Sequence, residues 1–172
     1  MRTRAITKTA ILVALASVLH AVEAQIPLPY VVPGAKLGLA NIVALYAVMT
    51  MQLGQAMAIS CLRTLLGSLL SGTFLSFGYY LGAAGALFST LAMYLAARVS
   101  GERLSVVGVS VVGSFTHNVT QLLAAALLLQ QAGVFFYLPH LMLFAIPTGV
   151  FVGLLASRIV AADTQRAKRN SG

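Results

Sequence analysis

Against a background of alanine, leucine, valine and glycine, few residues of this chain can ionise or hydrogen-bond strongly, and most of those lie inside apolar runs. Seven stand out as candidates for binding a small molecule: Glu23, Lys36, Asn41, Arg63, His117, Asn118 and Gln121. Together they offer a carboxylate, two cations, an imidazole and three carboxamides, a donor and acceptor set suited to holding a polar ligand. No catalytic constellation, metal site or cofactor is expected among them. The stretch PYVVPGAKLGLANIVALYA frames the set. A loop stiffened by Pro27, Pro29 and Pro33 leads into an apolar helix, with Lys36 at its mouth and Asn41 just inside.

Depth decides whether these residues belong together. Glu23 and His117 each fall about 13 residues beyond the start of their apolar runs, at Ala10 and Leu104, or about 20 Å at about 1.5 Å per residue. Asn41 enters from the opposite side and reaches a similar level. His117 and Gln121, four apart, share a helix face, with Asn118 beside them. Arg63 lies nearer mid-membrane, and its long stem can reach upward. His20 is one turn from Glu23. The shared depth predicts a pocket in the outer half of a helical bundle, opened from outside. For single residues other roles stay open: a structural Glu23–Arg63 ion pair, Asn41 or Gln121 bonding a neighbouring helix, and His117 as a core histidine. Cations outnumber Glu23, which leans toward an anionic or carbonyl-rich ligand.

The solvent of this bundle must be lipid. Of 172 residues 59% are hydrophobic and only 8% charged, against about a quarter in soluble domains. The mean hydropathy is +0.93. A spanning helix needs about 20 apolar residues, so six helices use most of the chain. The expected fold is an all-α integral membrane protein, six transmembrane helices in one domain over 1–172. They cover about 7–26, 37–51, 55–71, 79–97, 104–129 and 140–162, the last bent at Pro147, and 163–172 forms a flexible basic tail. The first apolar run follows Arg2, Arg4 and Lys8 but lacks a clear cleavage site, so it reads as a retained helix. Cys61, the single cysteine, permits no disulfide framework.

The formal net charge of +8 does not point to nucleic acid, because the basic residues gather at helix ends. With the N-terminus inside, Arg2, Arg4, Lys8, Arg98, Arg103, Arg158, Arg166, Lys168 and Arg169 fall on the cytoplasmic side and Lys36 alone outside. Both termini are therefore expected in the cytoplasm of a cell with this protein in its inner membrane. Tyr30, Tyr46, Tyr79, Tyr80 and Tyr137 are expected near interfaces. Small residues recur every three or four positions in the first helix (Thr3 to Ala21), the fourth (Gly78, Gly82, Ala86, Thr90) and the sixth (Ala145 to Ala161). Such stripes let helices approach closely in lipid.

The strings PGAKLGLANIVALYAV, SCLRTLLGSLLSGT and VVGSFTHNVTQLLAAALLL resemble the Gx transporter family, often labelled heptaprenyl diphosphate synthase component I. The resemblance covers nearly the whole chain. That family is similar in turn, by size, helix number and topology, to the substrate-binding S components of energy-coupling-factor (ECF) transporters. The resemblance implies capture of a vitamin- or cofactor-precursor-like molecule outside, with import driven by a transmembrane coupling subunit and partner ATPases. It also implies that an alanine-rich face of the first helix, here Ala10 and Ala14, meets the coupling subunit. The synthase label implies instead a non-catalytic membrane partner of an isoprenoid synthase. A catalytic role does not fit, since prenyl transfer needs aspartate clusters for Mg²⁺ and Asp163 is the single aspartate. The chain has no G-x-x-x-x-G-K-[ST] loop either, so ATP hydrolysis falls to a partner.

The charge asymmetry generates a topology test. Membrane-impermeant thiol labelling of intact cells is expected to modify Lys36→Cys and spare Ser100→Cys, and the reverse pattern would overturn the orientation.

Overall fold

The shortest helix of the protein is also its most enclosed. The computed structural model describes residues 2–26 and 38–171, which form six α-helices. They are α1 (Arg2–Gln25), α2 (Leu39–Thr50), α3 (Leu53–Leu70), α4 (Phe77–Val99), α5 (Val106–Leu129) and α6 (Leu138–Ser171). Short 3-10 turns, Gly101–Arg103 and Ala132–Tyr137, precede α5 and α6, and no strand occurs among the described residues. Lys36, Tyr30 and the three loop prolines lie outside them.

The sequence of α2 is apolar on every side, and such a helix is stable only when surrounded. Val43, Ala44, Leu45, Tyr46, Ala47 and Val48 are all buried. Around it the long helices form an arc in the order α1, α3, α4, α5, α6, and α2 packs against α1, α3, α4 and α6. At 12 residues α2 is about 18 Å long, short of a hydrocarbon core of about 30 Å. The other five are long and apolar enough to cross. The outer faces of the arc carry exposed Ile11, Leu15, Val18, Leu127, Leu143 and Leu154. Apolar surface on this scale is a liability in water and the natural exterior in lipid.

Local signals set the helix starts. Ser76 and Ser105 each accept a backbone N–H, from Tyr79 and Gly108 respectively, both at 3.2 Å. Gln52 and Gln55 form a reciprocal box at the start of α3. Each of these starts lies two residues from its expected position. The larger differences are at α1, which begins at Arg2, and α6. That helix begins at Leu138 because Pro139 is tolerated in a first turn, and it continues through Pro147. It then runs as helix to Ser171, exposed through Arg169, where a frayed tail was expected, since its Ala, Gln, Arg and Lys residues favour helix.

The small-residue stripes divide. In α6, Ala145, Gly149 and Gly153 are buried against α5. A Cβ at Gly153 would stand 2.7 Å from the Val107 Cα, and one at Gly149 2.8 Å from the Val111 Cα. Only glycine permits that approach. In α4, Gly82, Ala86 and Thr90 are buried, and the Thr90 hydroxyl bonds that of Ser60 in α3. In α1, Ser17 and Ala21 face inward, whereas Ala10 and Ala14 are exposed.

Tyr46 faces into the bundle. It is buried, and its hydroxyl donates to Asp163 of α6 at 2.7 Å. Lys8 of α1 lies 3.6 Å from the same carboxylate and 5.0 Å from the Tyr46 ring centre. This cluster ties three helices at the end of the bundle opposite the loop that joins α1 to α2.

Candidate functional site

The up-and-down helix order brings the far end of α1, the start of α2 and the adjoining halves of α3 to α6 to one end of the bundle. A cavity of about 50 Å³ opens there, and all six helices line it. Of the residues singled out by sequence, Glu23, Asn41, Arg63, His117 and Asn118 are on its wall. Gln121 is one turn further along α5, buried but off the cavity. Lys36 lies outside the described residues, and Ala10 and Ala14 are far away near the other end.

Glu23 comes from the last turns of α1 and is 7% exposed. It accepts a hydrogen bond from the Gly38 backbone N–H. Gly38 has φ +81°, the left-handed region, and a Cβ there would meet Val152 at 3.1 Å, so a glycine is required. This bond fastens the chain entering α2 onto α1. It also sets Asn41, in the first turn of α2, above α3.

Arg63 is 3% exposed and points inward from α3, as its depth required. Its Nη2 donates to Asn41 Oδ1 at 2.7 Å. The structural ion pair between Arg63 and Glu23 is not formed. The two side chains line one cavity and feel each other's charge, but Asn41 takes the direct contact. Lys8 and Asp163 form an ion pair elsewhere in the bundle. Arg63 Nε is buried with no hydrogen-bond partner among the described residues. A buried unsatisfied donor costs about 1–3 kcal/mol, and more on a charged group.

The opposite wall is built for room. A Cβ on Gly85 of α4 would lie 2.9 Å from the His117 ring and 3.0 Å from Gln121. The glycine therefore seats both of these residues on α5. Gly67 does the same for His20, whose ring would be 2.8 Å from a Cβ. Asn118 donates to the Leu141 carbonyl at 2.8 Å, joining α5 to α6 while remaining on the wall. His20, Thr64, Ser114 and Thr148 complete the polar lining. Thr64, Ser114 and Thr148 carried no sequence signal of their own, because hydroxyls in membrane helices commonly bond their own backbone. Thr64 and Thr148 do so here, at 2.7 and 2.8 Å.

The arrangement can hold and orient a polar molecule. Residues 12–159 match the family model described as heptaprenyl diphosphate synthase component I. The chain belongs to that family. No curated protein and no solved structure matches it. The match spans every residue lining the cavity, so the site is built within the family's own region of the chain.

Removing one partner of the Arg63–Asn41 bond would leave a buried guanidinium more exposed to loss than removing both. Asn41→Leu is expected to destabilise by about 2–3 kcal/mol. Asn41→Leu with Arg63→Leu is expected to recover at least half of that, read as thermal midpoints in detergent. Additive losses would mean that the contact does not couple the two helices.

Proposed function

We propose that this protein is the substrate-binding subunit of a membrane importer, similar to an ECF S component. It takes up a small vitamin- or cofactor-precursor-like molecule from outside, and partner ATPases drive release inside. The observation that carries this reading is the polar cavity around Arg63, whose buried Nε–H has no protein acceptor among the described residues. A purely structural polar cluster would satisfy its own charged donors. A binding site leaves one for its ligand.

Two further features support the reading. The nine cytoplasmic-side basic residues and the cavity belong to opposite ends of the bundle, so positive-inside insertion turns the cavity outward. In addition, the arc of helices is open between α1 and α6, where α2 floors an apolar groove. Ala10 and Ala14 lie exposed on α1 beside it, a small-residue face on which another membrane helix can pack closely. This is where the coupling subunit would dock.

The family description favours a second reading, a non-catalytic membrane partner of an isoprenoid synthase. The two differ in what accompanies the protein. Native mass spectrometry of gently extracted protein is expected to find a retained small molecule that is lost in Arg63→Leu. Ala10→Leu with Ala14→Leu is expected to abolish uptake while retaining that molecule. Co-purification with a prenyl diphosphate synthase, and no bound molecule, would favour the second reading instead.

A further inference from the structure

The cavity's charge and size narrow what it can hold, an inference that rests on the binding function proposed above. The described residues place one guanidinium, Arg63, and one carboxylate, Glu23, on its wall. These two formal charges sum to zero. Cation and anion do not quench each other by direct contact. Arg63 is held by Asn41 and Glu23 holds the Gly38 N–H, and both face the same space. A ligand of either net charge would therefore add an uncompensated charge to a buried site, where such charges are costly. A molecule carrying an oxygen acceptor at one end and an N–H donor at the other meets both walls at once.

We infer that the site binds a net-neutral dipolar ligand, an amide, ureide or amino-acid-like group, with its oxygen on Arg63 Nε–H and its N–H directed at Glu23. This revises the lean toward an anion that the count of cations in the sequence gave. The cavity volume of about 50 Å³ accommodates about four waters, so about four to six non-hydrogen atoms of the ligand are held here. A larger ligand would carry this group as its buried end.

Four small probes fit within that volume and separate the charge classes: acetamide and glycine are neutral overall, acetate is an anion and methylammonium a cation. At saturating concentration a dipolar probe is expected to raise the thermal midpoint of the purified protein by about 2–4 °C, with acetate and methylammonium giving clearly less. Glu23→Gln keeps an oxygen for the Gly38 N–H but removes the negative charge, so its preference is expected to shift to acetate. A wild-type protein stabilised by acetate as strongly as by glycine or acetamide would overturn the inference and leave the binding function standing. So would a Glu23→Gln variant with unchanged preference. If no probe acts, a molecule retained on gentle extraction decides by its own charge: a net-neutral donor and acceptor supports the inference, and a net ion overturns it. No retained molecule and no active probe would remove the binding function itself.

Discussion

The structure turns on one buried cation. Arg63 sits on a lipid-embedded helix with almost no exposed surface, where an unmatched guanidinium costs at least about 2.5–3.5 kcal/mol on insertion scales. Asn41 accepts from one of its nitrogens, and Asn41 can do so only because Gly38 and Glu23 fix how the chain enters α2. The shortest helix is thereby anchored at its polar end by α1 and α3. Its opposite end is held by Tyr46, Asp163 and Lys8. Between these two polar clamps α2 presents only apolar surface to the helices around it.

That design explains why the glycines fall where they do. Gly67 and Gly85 stand beside His20 and His117, and they yield the space that bulky ring systems need at the cavity. Gly149 and Gly153 bring α6 onto the backbone of α5, which closes the bundle beneath it. The cavity and the helix packing therefore draw on the same residue type for opposite purposes, one to admit side chains and the other to exclude them.

Much of this was legible from the sequence because the bilayer restricts the solutions. Scarcity of charge identified the solvent, and the loops near Gln52, Arg98 and Gln130 gave the helix order. Depth arithmetic then brought Glu23, Asn41, His117 and Asn118 to a similar level with Arg63 below and reaching upward, and the folded chain joins all five in one cavity. What the sequence could not give was rotation and partner choice. Gln121 shares a face with His117, yet one further turn carries it past the cavity. Glu23 and Arg63 are opposite charges lining one cavity, but each found a nearer hydrogen-bond partner. Tyr46 resembled a belt aromatic because its acceptor, Asp163, lies 117 positions away. The same distance hid the continuation of α6, whose Asp163 is held within the bundle's end and not in a loose tail.

The central claim is that Arg63 Nε–H is a ligand's binding point. An experimental density map of gently extracted protein, at a resolution that separates water from a small molecule, tests it most directly. The account predicts non-protein density within about 2.7–3.2 Å of Arg63 Nε, continuous with a group extending toward Glu23. A protein acceptor on that nitrogen, with the cavity filled by the protein's own side chains, would contradict it.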